Sequence, residues 1–341
     1  MRCTTPPWLL LGFAAAALAG CSRQAARAPD PVVVYTSLDE PYARPVLDAF
    51  SRETGLRVLP VYDTEANRSR GLAQRILAER RSPRADVFWS SEVMQMLSLR
   101  KAGALRSYSS PAAKGIPARY QDPDRYWTGF AARFRVLVYY RPKVKTPPNS
   151  ILELAEPPWK GATVMADPLF GTTMTEAAAL FQVHGPDRAR AYYRGRQANG
   201  VRIVDGNSVA AEAVARGDAL VGQTDTDDAL IRIDRKRPLG MLFPDQNGLG
   251  ALLIPNTAGL VNGAPHAGAG ERFLDFLLRP ETELILAGLP SRQLPLHRSG
   301  QDRLPPQVRS LARVRMMQVD YSRLQDQYEE VDAFLRQVFV Q

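Results

Sequence analysis

Short runs of β-branched and aromatic residues alternate with helix-period patterns along most of this chain. That alternation constrains its fold more than any other feature. VVVYTS (32–37) has the composition of a buried strand. In the segment that follows, Ala43, Val46, Leu47 and Phe50 recur at helical spacing, Pro41 sits where a first turn tolerates it, and Gly55 ends the pattern. LRVLPVY (56–62) and ADVFWS (85–90) repeat the strand signal, with Leu72, Ile76 and Leu77 marking a helix between them. Val93, Met94 and Leu97 mark another, closed near Gly103. Strand, helix and strand in this order predict parallel βαβ units with helices on both faces of a sheet.

A Pro-containing, loop-like stretch (110–125) leads into FRVLVYY (134–140), a candidate crossover strand out of a first lobe. ATVMAD (162–167), VRIVD (201–205) and ALVGQTD (219–225) read as strands of a second α/β lobe. GALLIPNT (250–257) reads as a return strand, followed by an amphipathic helix carrying Phe273, Phe276 and Leu277. The expected organisation is lobe 1 from 32–130 plus 250–300 and lobe 2 from 131–249. A C-terminal helical segment, 301–341, is expected to pack on lobe 1. Two connections between lobes permit hinge closure around a ligand.

The N-terminus supplies an address. Arg2 precedes an apolar run, Trp8 to Ala19, that is too short to span a bilayer and ends on small residues, as an export signal does. Leu18-Ala19-Gly20-Cys21 resembles a bacterial lipobox. It predicts a signal peptide over 1–20, lipidation of Cys21 and a flexible tether over 21–31. The protein would then sit in the periplasm or cell envelope, anchored to a membrane through Cys21. The only other cysteine, Cys3, leaves with the signal, which excludes a mature intramolecular disulfide and Cys-ligated zinc or iron–sulfur chemistry. The formal charge of +9 favours anionic partners, but the arginines are scattered rather than interleaved with aromatics, which argues against nucleic acid. His184, His266 and His297 are isolated. No G-x-S-x-G, H-E-x-x-H or Walker pattern occurs, so the sequence offers no catalytic constellation.

The ordered set VVVYTS, DTEANRSRGLAQRI, ADVFWSSE, WTGFAARFRVLVYY, ADPLFGTT, VDGNS, RGDALVGQTDTDDA, FPDQNGLGALLIPNT and ERFLDFLL is similar to the ferric-ion-type (family 1) extracellular solute-binding proteins of bacterial ABC transporters. The resemblance covers nearly all of 31–300. It implies an α/β, type II periplasmic-binding-protein fold, in which two lobes joined by crossover strands clamp a solute and deliver it to a permease, with the binding protein acting as a monomer. Iron-binding members place adjacent tyrosines just after the strand matching ALVGQ. Here that place reads Thr224-Asp225-Thr226-Asp227-Asp228, without a tyrosine.

Candidate binding residues follow from strand ends and helix starts. Thr36 and Ser37 close the first strand, where open α/β sheets bind ligands, and Ser91 lies at the end of the third. Gly171-Thr172-Thr173 opens a helix, whose unpaired N–H groups and dipole suit an anion; in the family the matching turn holds a carbonate, phosphate or other ligand oxygen. Asn207 repeats the arrangement after 201–205, and Thr224 and Asp225 end the strand 219–225. Asp39, Glu65, Asp225 and Asp227 supply hard oxygens of the kind Fe(III), Ca²⁺ or an ammonium group favours. Arg133 and Arg135 share one strand face, fit either for an anionic ligand or for a lobe–lobe ion pair. Two cargoes stay open: ferric ion with a synergistic anion, or a small organic anion such as a phosphonate or sugar phosphate. A ligand-sensing or envelope-interaction lipoprotein without a transport role is the alternative.

Overall fold

The computed structural model describes Met1, residues 30–63 and residues 70–340. The export signal, Cys21, most of the tether and Glu65 lie outside the described residues. Among the described residues, no helix is long and apolar enough to cross a membrane.

In lobe 1, β1 (Val32–Thr36) lies between β2 (Val58–Tyr62) and β3 (Val87–Ser90), parallel to both. The helices α1 (Glu40–Thr54) and α2 (Arg70–Ala78) carry the chain back between these strands, as parallel pairing requires. α1 buries the anticipated stripe of Ala43, Val46, Leu47 and Phe50, and Gly55 ends it in the left-handed region with its N–H on the Ser51 carbonyl. Phe50 meets Phe273 of the lobe 1 helix α8 (Ala267–Leu277) edge-on, with ring centroids 5.1 Å apart. After β3 come α3 (Met94–Lys101) and the short β4 (Leu105–Arg106).

The next strand joins the lobes. β5 (Thr128–Tyr140) starts well before the anticipated 134, and all but its last two residues are buried. Its first half pairs antiparallel with β10 (Leu253–Val261) in lobe 1, up to Phe134 opposite Leu253. From Arg135 onward it pairs with β8 (Val221–Asp225) and β9 (Leu239–Leu242) of lobe 2. The strand therefore changes partners between Phe134 and Arg135. Lobe 2 is completed by β6 (Thr163–Ala166), α4 (Gly171–His184), α5 (Pro186–Ala198), β7 (Arg202–Val204), α6 (Asn207–Ala215) and α7 (Thr226–Asp234). The strand path through both lobes runs β2-β1-β3-β10-β5-β8-β6-β7.

Near its midpoint β5 carries an irregularity. The register with β10 shifts at Pro255/Asn256, and Ala131 takes φ of +36°. The buried Glu283 of α9 (Pro280–Gly288) accepts from the Ala131 N–H at 2.6 Å, and from the N–H groups of Leu296 and His297. Burial pushes the Glu283 carboxyl up to about 7.

The C-terminal segment departs from the sequence expectation twice. It is helical only in pieces, chiefly α10 (Pro306–Arg309) and α11 (Tyr328–Phe339), because Met316 and Met317 run alongside Ala251 with backbone pairing. It also packs on both lobes rather than on lobe 1 alone. Lys101 of lobe 1 pairs with Glu329 at 2.7 Å. On lobe 2, Arg190 pairs with Glu330, and Phe181 and Tyr193 pack against Phe334 and Phe339. Those aromatic contacts exist because the apolar stripe of α11 needs a partner, and the α4–α5 surface supplies one.

The second connection between lobes, ahead of β10, passes beneath this segment. Gly250 has φ of +87°, and a Cβ there would overlap the Arg315 carbonyl. Gly250→Ala should therefore cost about 2–3 kcal/mol through strain and overlap, read as a lower urea midpoint with an unchanged m-value.

Candidate functional site

Open α/β sheets bind ligands beyond the carboxyl ends of their parallel strands. In this fold the ends of β1 and β3 face those of β6, β7 and β8 across the seam. The cleft between them has a volume of about 330 Å³. Lobe 1 lines it with Ser37, Leu38, Asp39, Ser91 and Arg133. Lobe 2 lines it with residues 166–167, 170–173 and 205–209, and with Asp225, Asp227 and Asp228.

Most of the anticipated binding residues thus meet in one place: Ser37, Asp39, Ser91, Gly171, Thr172, Thr173, Asn207, Asp225 and Asp227. Thr36 and Thr224 are fully buried and do not line it. The Thr36 hydroxyl accepts from the Leu38 N–H at 3.1 Å, shaping the loop, and Thr224 donates to the Asn207 carbonyl at 2.9 Å. Asp167, Asp205, Gly206 and Ser208 were not singled out as cleft residues from the sequence. The strand-end rule that picked out Thr36 would have found the first two, since each ends a run that was read as a strand.

Asp225 organises the floor. Its Oδ1 accepts from Arg135 Nη1 at 2.7 Å. Its Oδ2 accepts from Arg133 Nε at 3.0 Å and from the Thr172 hydroxyl at 2.9 Å. Burial opposes ionisation of Asp225, yet Arg135 and Arg133 together hold its carboxyl below the ordinary value. Arg135 is further fixed by Asn207 Oδ1 at 2.7 Å and by Glu176 at 3.2 Å. Gln223 carries the network to the buried Arg196. Within lobe 1, Arg133 donates from Nη1 to the Ser91 carbonyl at 2.6 Å, so its bond to Asp225 is the one that crosses the seam.

This network separates the two threonines that the sequence left together. Thr172 is committed to Asp225, Asn207 and Arg135. Thr173 is 1 % exposed, and its hydroxyl has no partner among the described residues. Neither caps α4. The N-cap position is Phe170, which makes no side-chain cap bond, and Gly171 takes φ of +54° to start the helix. An uncapped helix start leaves backbone N–H groups without intrahelical partners, and groups of that kind suit an anion. α6 also begins at the cleft without a side-chain cap, its N-cap position being Gly206. Ser208, in the first turn of α6, accepts from Arg232 at 2.8 Å.

On the same lobe, Asp227 and Asp228 occupy the first turn of α7. Burial and then the charge of Asp225 push Asp227 up to about 6, with Arg133 opposing. Asp228 is raised well above the usual range by burial and by Asp227 and Asp225. The half-buried Tyr42 on α1 feels Asp227, Asp39 and Asp228; burial first, and then those charges, push its phenol up to about 12. Among the described residues, no three His, Cys, Asp or Glu side chains are grouped to hold a metal ion. His266 is spent on Asp86, and His297 accepts from Ser299, both outside the residues that line the cleft.

Residues 31–288 match the profile of the bacterial extracellular solute-binding proteins. The chain belongs to that family. Within it the match is to family 11 rather than family 1, and the relatives include ferric iron-binding periplasmic proteins. This solute-binding protein is 27% identical over 264 residues to iron uptake protein A1 of Synechocystis sp., covering 74% of its own chain and 71% of that one. A Trichodesmium protein (FutA) in complex with iron and citrate superposes with a TM-score of 0.79 at 24% identity, covering 92% of this chain and all of that one. AfuA from Actinobacillus pleuropneumoniae, with fructose 6-phosphate bound, gives 0.78 at 20% identity over 90% and 98%. The fold is that of type II periplasmic binding proteins. A solute-binding protein of ABC import, extracellular or periplasmic, is a receptor and not an enzyme.

The Asp227 shift has a sign. A carboxyl raised in the folded state stabilises the fold most below its unfolded value of about 4, and that contribution is lost as the pH rises towards 6. Asn at this position would keep an acceptor for the Asp228 N–H, which Asp227 Oδ1 now receives at 3.1 Å. Asp227→Asn should therefore stabilise the empty protein by roughly 2 kcal/mol at pH 8 and leave it unchanged at pH 4, measured by urea unfolding at both values.

Proposed function

We propose that this protein is the cargo receptor of an ABC importer that closes two lobes over a small organic anion bearing hydroxyl or ammonium donors. The observation that carries this reading is the Thr173 hydroxyl, buried without a partner beside the uncapped start of α4 in the cleft. The α6 start and Arg133 add donors for the same oxyanion, and the carboxylates of Asp39, Asp227 and Asp228 in the same cleft suit hydroxyl or ammonium groups. Lipidation of Cys21 would hold the receptor beside its permease.

A second reading keeps ferric ion with a synergistic anion as cargo. Asp39, Asp227 and Asp228 offer hard oxygens to one cleft, and relatives of this fold include both an iron–citrate complex and a sugar-phosphate complex. The two readings share the anion half of the site and differ over the cation.

Thermal stabilisation by a panel of methylphosphonate, 2-aminoethylphosphonate, sugar phosphates and ferric citrate separates them. An organic anion at about 100 times its Kd should raise Tm by about 5 °C or more. Thr173→Asp should abolish that shift while the free protein still melts cooperatively. Stabilisation by ferric citrate alone would favour the second reading. An undiminished organic-anion shift in Thr173→Asp would remove the anion from the start of α4.

A further inference from the structure

We propose that Arg133 is a built-in cation of the cleft and its specificity-determining residue. Its guanidinium occupies the space between Asp225 and Asp227 and makes the site accept a solute oxyanion while refusing a bare metal ion. This rests on the cleft being the solute site, as proposed above.

The geometry is specific. Arg133 Nε lies 3.0 Å from Asp225 Oδ2 and 3.8 Å from Asp227 Oδ2. A hard metal bridging those carboxylates at metal–oxygen distances of roughly 2.0–2.6 Å would have to stand where the guanidinium now lies. Asp225 cannot swing away to meet an ion elsewhere, because Arg135 holds its other oxygen at 2.7 Å. Arg133 cannot swing away either, because Nη1 is fixed to the Ser91 carbonyl of its own lobe. The side chain is only 7% exposed, and unlike a lysine it does not become neutral when buried. Nε and Nη1 are used by these contacts, while among the described residues no hydrogen bond is made by Nη2, leaving a charged donor for a solute oxygen. Asp225 and Asp227 keep the guanidinium charged against the cost of burial.

Charge arithmetic gives the size of the effect. A unit charge about 4 Å from an incoming cation repels it by roughly 4 kcal/mol at a typical protein permittivity, which is on the order of 1000-fold in affinity. Removing that charge should turn two paired carboxylates into two available ones. An oxyanion loses its partner by the same change, so metal and anion affinities should move in opposite directions.

Terbium(III), a hard trivalent ion read by luminescence sensitised from protein aromatics, tests this on the full mature chain. The wild type should show no saturable cleft binding. Arg133→Gln, which removes the charge and keeps much of the length, should bind one terbium at least ~100-fold more tightly. The double variant Arg133→Gln/Asp227→Asn should lose that gain. The same Arg133→Gln protein should lose stabilisation by methylphosphonate or by whichever organic anion of the panel stabilises the wild type. Terbium binding by the wild type as tight as by Arg133→Gln would overturn the proposal. So would a folded Arg133→Gln protein, judged by circular dichroism and a cooperative melt, that gains no terbium affinity. If Arg133→Gln does not fold, wild type against Asp227→Asn decides: wild-type terbium binding that Asp227→Asn abolishes overturns the proposal, and no saturable binding by either supports it. A wild type stabilised by no anion of the panel would defeat the organic-anion reading, while the terbium comparison would still decide the role of Arg133.

Discussion

One carboxylate shared by two buried guanidiniums is the interaction on which this structure depends. Arg133 and Arg135 lie on either side of the point where β5 passes from one sheet to the next, and both reach Asp225 at the end of β8. Burying three charges is costly, and each is tolerable only because the other two are present. Removing one partner from such a group typically costs about 3–5 kcal/mol. The same constraint sets the cleft floor. It commits Thr172 and Asn207, leaves Thr173 unsatisfied, and aims Arg133 at the seam.

The hinge inherits its form from this arrangement. A continuous strand passing between sheets transmits twist while keeping its backbone hydrogen bonds, so the lobes can reorient without exposing unpaired polar groups. The bulge at Ala131 alters the register of β5 two residues before Arg133, and Glu283 stabilises it with three backbone N–H groups. The C-terminal segment spans the two lobes. It makes buried aromatic contacts with both, Phe334 and Phe339 against lobe 2 and Tyr321 against Tyr120 of lobe 1, and the Tyr321 hydroxyl donates to the Leu253 carbonyl on β10.

Much of this was legible in the sequence. Periodicity gave the βα units, because helical stripes such as Ala43/Val46/Leu47/Phe50 and β-branched runs such as 32–36 answer to local physics. Strand ends and helix starts gave Ser37, Ser91, Gly171–Thr173 and Asn207, because ligand sites of open sheets follow from topology. The remainder depends on long-range pairing. Nothing local distinguishes Thr172 from Thr173; only Asp225, distant in sequence, does so. The early start of β5 was hidden because its first residues, Thr128 and Gly129, carry no strong strand signal and owe their conformation to β10. The tail pattern read as helix throughout, but backbone pairing of Met316 and Met317 with Ala251 overrode it.

The central claim is that the cleft supplies its own positive charge and receives an anion. Calorimetry at pH 6 in buffers of different ionisation enthalpy tests it most directly, using a bound organic anion that carries no ammonium group and whose own ionisation is complete at that pH. An anion placed near Asp227 and Asp228 raises their proton affinity further, so the account predicts net proton uptake on binding, smaller in Asp227→Asn. Net proton release on binding, as a metal cation displacing protons from the same carboxylates would produce, would contradict it.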